Sequence, residues 1–188
     1  MLDERIAELK SQIAELLRGG VPVAARADGS RVVTEEPDAS GNVIRLVLSE
    51  LRKEVPYDSC SVQELRGERL VIIGGVGFAD LDVILGETFD INNIDIPNGE
   101  VLYRRRPLIV GDTEQYRAFR RGLHVGAGIH SWLGVPLLHE GQVYGMLGLD
   151  KAEPDYYNGR HQETALAFAG LVASALARDS ADATESSA

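Results

Sequence analysis

One cysteine in 188 residues sets the first limit: Cys60 alone cannot form an internal disulfide, a cysteine-cluster metal site or two-thiol redox chemistry within the chain. A reducing compartment fits. Long apolar runs are missing too, for no stretch approaches the roughly 20 uninterrupted apolar residues that a bilayer span requires. The opening Met1-Leu-Asp-Glu-Arg lacks the basic-then-apolar order of a signal peptide, so the expectation is a cytoplasmic protein. Basic charge is scarce: 19 Lys and Arg face 29 Asp and Glu, for a formal charge of −10 and a pI near 4.9. Such a surface repels phosphate backbones and anionic lipid, which argues against nucleic-acid binding and membrane insertion. Catalytic signatures are also absent. The histidines at 124, 130, 139 and 161 show no metal-ligand spacing, no Gly-x-Ser-x-Gly elbow occurs, and Gly126-Ala-Gly128 lacks the third glycine of a dinucleotide loop.

What remains is the pattern of one globular domain with extensions, at an ordinary 44% hydrophobic content. Residues 1–20 carry Leu2, Ile6, Leu9, Ile13 and Leu16 at alternating spacings of four and three, an a/d seam closed by Gly19-Gly20. The seam is short, so it is expected to pair with its twin in a homodimer; the alternative is an amphipathic helix lying on its own domain. Residues 21–40, rich in Pro, Gly and acidic residues, read as a linker. From Asn42, Ile44, Val47, Leu48, Leu51 and Val55 restore helical spacing until Pro56, with Asp38 or Ser40 as candidate caps.

A hairpin follows, with strands at 59–65 and 69–73 around Arg66-Gly67, and then an irregular stretch from Gly77 to Asn98. A short helix is expected around Val101–Arg106 and a strand at 107–110, followed by a polar loop with partial helix over 112–121. The clearest element is a second hairpin, 132–139 and 142–149, turned by Glu140-Gly141. A last helix spans 160–178 with Asn158 as its cap, and 179–188 reads as a disordered tail. Helix, hairpin, irregular middle, hairpin and helix make an α+β domain on an antiparallel sheet.

The run from Ile129 through Trp132-Leu-Gly-Val-Pro-Leu-Leu-His-Glu-Gly-Gln-Val-Tyr-Gly-Met-Leu-Gly-Leu-Asp-Lys to Pro154 resembles the GAF domains of bacterial sensor histidine kinases and related receptors. Val55-Pro-Tyr-Asp-Ser-Cys-Ser-Val, Gly77-Phe78, Arg106-Pro-Leu-Ile-Val-Gly-Asp and the Ala-rich closing helix agree in order, so the likeness covers 41–178. The resemblance implies a central antiparallel sheet of five to six strands, with helices on one face and a loop-covered pocket on the other. It also implies a non-catalytic sensory or relay domain in two-component type signalling, binding a small molecule or passing a conformational signal through a helical dimer interface to an output domain or kinase. A ligand-free dimerisation scaffold is the alternative.

Under that resemblance the pocket is covered by residues 101–131, whose polar groups Tyr103, Arg104, Asp112, Tyr116, Arg120, His124 and His130 are the candidate ligand contacts. A collapsed pocket filled by its own side chains stands beside this. The dimer face is assigned to Ile6, Leu9, Ile13, Ala165, Phe168, Ala169, Val172 and Leu176. No metal site or obligatory cofactor is implied. Cyclic-nucleotide-binding relatives carry Asn-Lys, Phe and Asp-Glu after the last hairpin, where this chain reads Asp150-Lys151, Tyr157 and His161-Gln162. Bilin-binding relatives need a cysteine where Leu123-His124 stands, and catalytic methionine sulfoxide reductase relatives need several. A heme sensor, with His124 or His130 as iron ligand, is the less favoured cofactor reading.

Overall fold

A computed structural model describes residues 1–18, 39–119 and 128–185. The linker reading, Gly19-Gly20 and Asp38 therefore lie outside the described residues, as do Arg120 and His124 among the candidate contacts.

Two helices open the chain, α1 (Leu2–Arg18) and α2 (Ala39–Glu54). The second stops ahead of Pro56, whose ring clashes with a helical residue before it. Strands β1 (Ser59–Arg66) and β2 (Arg69–Val76) form the first hairpin. The second, β5 (Ser131–His139) and β6 (Gln142–Lys151), turns on Glu140 and Gly141, both at positive φ (49° and 78°). That is the mirror-type turn a two-residue hairpin favours.

The middle of the chain holds more structure than its composition suggests. Helix α3 (Leu81–Ile84) and strand β3 (Thr88–Asp90) stand where an irregular stretch was expected, with β3 paired to β2. Helix α4 (Pro97–Arg104) begins before the expected Val101, because proline is preorganised for the first helical turn, and it ends where Arg105 turns left-handed at φ 51°. Strand β4 (Leu108–Val110) then adds to β5. Residues 112–119 form turns without a helix.

All six strands join one antiparallel sheet in the order β3-β2-β1-β6-β5-β4, so the two hairpins meet at its centre through β1 and β6. A glycine is required at that junction. Gly145 sits at φ 152°, and a Cβ there would stand 1.9 Å from the Gln63 carbonyl oxygen.

One sheet face packs on helices. Cys60, Val62, Ile73, Leu133, Val135, Leu137, Leu147 and Leu149 meet α2 and the closing helix α5 (Gly159–Glu185) in the main core, with Phe168 and Leu51 fully buried. Asn158 caps α5 as expected, its Oδ1 accepting from the Arg160 and His161 amides at 3.0 and 3.1 Å. Beyond Arg178 the helix runs on to Glu185, through residues read as tail. Asp179 is buried, and with no glycine or proline in 179–185 each further residue extends an already nucleated helix.

The residues assigned to a dimer face lie within a single chain. Leu9, Ile13, Ala165, Phe168, Ala169, Val172 and Leu176 are buried in the main core, and Ile6 packs partly against it. The a/d seam of α1 is satisfied by α2 and α5, as in the amphipathic-helix alternative, and an Arg5–Glu50 ion pair ties α1 to α2. No described helix is long and apolar enough to cross a membrane.

Candidate functional site

Strand alternation puts Ser59, Ser61 and Gln63 on the face opposite Cys60 and Val62. Across the ladder Ser59 pairs with Asp150 and Ser61 with Gly148. A strip of polar side chains therefore floors the sheet face that α2 and α5 leave uncovered. All of it is buried: Gln63 is 3% exposed, Asp150 7%, and Ser59, Ser61 and Asn98 7 to 8%.

Burial without a partner costs a polar group on the order of 1–3 kcal/mol, so the strip is hydrogen-bonded. Asn98, brought in by α4, donates its Nδ2 to Gln63 Oε1 at 2.9 Å, and Gln63 Nε2 donates to Ser61 Oγ at 3.0 Å. Ser59 Oγ donates to Asp150 Oδ2 at 2.6 Å. Gly148 leaves the middle of the floor open, for a Cβ there would lie 3.2 Å from both Ser61 Oγ and Trp132 Nε1.

Above this floor lies a narrow, partly open cleft of about 60 Å³. Ser61, Gln63, Asn98 and Asp150 provide its polar lining together with Glu87. Trp132, Phe78, Phe89 and Phe119 provide aromatic walls, with Ile72, Ile84, Pro97 and Ile129 between them. Trp132 is itself held edge-on by Phe119, ring centres 6.0 Å apart, within a smaller apolar cluster with Leu70, Val101, Leu102, Val110 and Met146.

Asp150 is the unusual group. Burial pushes its carboxyl up to about 7, opposed by the Ser59 hydrogen bond and reinforced by the nearby charge of Asp58. Its neighbour Lys151 points to the other side of the strand and is committed there. Lys151 Nζ donates to Asp58 Oδ1 at 2.7 Å and lies 5.1 Å from the centre of the Tyr156 ring. Hydrogen bonding to Lys151 holds the Asp58 carboxyl below its ordinary range.

The candidate contacts read from the sequence fall elsewhere. Tyr103 is 75% exposed, and Arg104 pairs with Glu100 on its own helix at 3.0 Å. Tyr116 donates its hydroxyl to Glu100 at 3.1 Å and packs against the smaller cluster. Asp112 accepts from the Glu114 amide and Gln115 Nε2 at 2.9 and 2.8 Å. None of these, nor His130, lines the cleft. The 101–131 segment contributes Phe119, Ile129 and hydrophobic packing, whereas the polar groups come from the sheet and from Asn98.

Their signal was present as polar-apolar alternation in Ser59-Cys60-Ser61-Val62-Gln63. What could not be read was the partner, Asp150, 91 residues from Ser59 in the chain.

One grouping was unexpected. Asp112, Glu114 and His130 can each offer a metal-ligand atom, all within 4.8 Å of one another. Both Asp112 oxygens already accept from the loop, which favours a structural role. Of the two histidines considered as heme ligands, His130 does not line the cleft and His124 lies outside the described residues. Cys60 is fully buried on the other sheet face, and burial raises its thiol well above the ordinary range, the opposite of an activated nucleophile.

A six-stranded antiparallel sheet with a helical layer on one side and a narrow, polar-floored cleft on the other defines an α+β domain. The sequence matches the GAF domain family over residues 41–177, and the chain belongs to that family. Among solved structures, it is similar to the GAF domain of a phosphoenolpyruvate-protein phosphotransferase from Coxiella burnetii, at 17% identity and TM-score 0.67, over 95% of this chain and 98% of that one. The GAF domain of a two-component sensor histidine kinase from Bacillus halodurans aligns at 14% identity and TM-score 0.64, over 76% and 96%. A type II free methionine-R-sulfoxide reductase from Thermoplasma acidophilum aligns at 14% identity and TM-score 0.62, over 74% and 93%. At these identities the likeness is one of fold. No curated protein matches the sequence.

Proposed function

We propose that this GAF domain is a non-catalytic sensory and relay module of the cytoplasm, which binds a small molecule in the cleft over Ser61, Gln63, Asn98, Asp150 and Trp132. The observation that carries this reading is the buried polar strip: hydrogen-bonding groups on a sheet face, walled by aromatics and opening to a narrow cleft.

A relay needs a ligand whose affinity differs between two states of the domain. Strand β6 supplies the connection. Asp150 lines the cleft, Lys151 beside it holds Asp58, and Lys151 lies over Tyr156, whose ring stacks on His161 in the first turn of α5 at 5.5 Å. A ligand that pulls on Asp150 shifts the end of β6 and with it the start of α5. The output partner, a kinase or other signalling domain, then reads the position of α1 and α5. Pairing of two copies, in this reading, uses the part of α1 left open within the chain, where the last seam residue Leu16 remains 39% exposed, and not the buried Leu9 and Ile13.

The reading contains no chemical step: the lone thiol is buried on the other sheet face, away from the described lining of the cleft. Native mass spectrometry of protein purified from cells tests it, together with a visible spectrum. A reproducible added mass, lost in the Asp150→Asn and Trp132→Ala variants, is the expected result. A mass-clean protein whose Trp132 signal ignores a metabolite panel overturns it.

A further inference from the structure

Among the described residues that line the cleft the charge is one-sided: Asp150 and Glu87 are the ionisable groups, and no described lysine, arginine or histidine stands with them. A buried carboxylate must either keep its proton or find a cation, because solvation by water is lost. Asp150 accepts on Oδ2 from the neutral Ser59 hydroxyl, and Lys151 beside it is turned away onto Asp58. Among the described residues, then, the floor holds an acid with a neutral donor and no cationic side chain against it.

The walls are suited to supply the rest of such a site. Four aromatic rings line the space, and a cation over an aromatic face is attracted to it, most where water is excluded. Gln63 and Asn98 already hydrogen-bond each other and Ser61, so the floor is preorganised. The surface charge of −10 favours the approach of cations over anions. A phosphate or carboxylate ligand would meet two carboxylates here.

From this we infer that the cleft takes a small organic cation, a protonated amine or guanidinium on a flat apolar body, with Asp150 as its counter-ion and Trp132 as its aromatic wall. The inference rests on the cleft being the sensory pocket and specifies its ligand class. No covalent bond forms or breaks on the ligand; as the cation docks, Asp150 releases its own proton to the solvent and is left as the carboxylate counter-ion.

Trp132 is the only tryptophan in the chain, so its fluorescence and indole N–H resonance report on the cleft without a label. The test is a titration of the whole protein with three probes of one size: benzylamine, protonated at neutral pH, neutral benzyl alcohol and anionic benzoate. Benzylamine is expected to bind at least about tenfold more tightly than benzyl alcohol, with benzoate weakest. Asp150→Asn, which keeps the shape and an acceptor for Ser59, is expected to lose that preference while its benzyl alcohol affinity stays. Glu87→Gln, at a half-buried rim position, should reduce the preference by a smaller factor.

Benzyl alcohol or benzoate binding as well as benzylamine overturns the cation class and leaves the sensory pocket standing. Unchanged benzylamine affinity in a folded Asp150→Asn variant also overturns it. Silence of the Trp132 signal toward all three probes overturns it as well, and only an additional blank in native mass spectrometry removes the pocket.

Discussion

The two faces of the sheet are built from alternate residues of the same strands, yet they do opposite things. Toward the helices, Cys60, Val62, Leu133, Val135, Leu147 and Leu149 meet Phe168, Val172 and Leu51 in a closed apolar core. Toward the loops, Ser59, Ser61, Gln63 and Asp150 replace apolar side chains, and a cleft replaces close packing. The contrast shows where the chain puts stability and where it accepts a cost. Buried polar groups add little to stability that apolar ones would not, and this strip is what the proposed binding role rests on.

Truncation on each face gives the largest effects. Phe168→Ala should cost about 3–5 kcal/mol in urea unfolding, since its site is closed on all sides, whereas Ile72→Ala at the cleft wall should cost about 2 kcal/mol. Equal costs would mean that the second face is packed like the first.

The next effect has the opposite sign. Asp150 is held up at about 7 in the folded chain against an ordinary 3.8, so the folded state binds the proton more tightly. Stability is then lost as pH rises from about 4 to about 7, and Asp150→Asn is free of that loss. The variant should be close to the parent at pH 4 and more stable by up to about 4 kcal/mol at pH 8, measured by urea unfolding at both. A variant less stable than the parent at pH 8 would place a counter-ion on Asp150.

Gln63→Ala should cost about 1–3 kcal/mol, because it strands the Asn98 amide and the Ser61 hydroxyl in a buried place. Restoration by Gln63→Ala/Asn98→Leu, read in the same unfolding assay, would tie that cost to the hydrogen bonds. The smallest effect belongs to Lys151→Met. Its partner Asp58 is half exposed, so the pair is worth less than about 1 kcal/mol. That contribution is present above the ordinary carboxylate range and disappears as pH falls through the lowered value of Asp58. Comparing thermal unfolding at pH 7 and pH 3 checks it.

Elements with a local cause were legible in the sequence. Glu140-Gly141 between alternating runs gave the second hairpin, Asn158 gave the start of α5, and Pro56 gave the end of α2. Elements that exist because something else receives them were not. Strand β3 is three residues long and is a strand because the edge of β2 needs a partner. The seam of α1 suited a partner helix of either origin, and its own α2 and α5 received it. Loop polarity likewise drew the candidate contacts to residues 101–131, whereas Ser61, Gln63 and Asp150 of the cleft lie on strands, where polar residues normally face water.

By itself, then, the sequence determined the family, the α+β class, the two hairpins and the absence of cysteine chemistry, because those follow from residue spacing, turn residues and counts. Tertiary structure alone decided that the a/d seam closes within one chain and that Asp150 stands buried beside Ser59. It also decided that Lys151 turns away to Asp58. The pairing of Asp150 with Ser59 depends on the register between β1 and β6, which joins residues some 90 positions apart. A one-residue slip in that register would exchange the two faces.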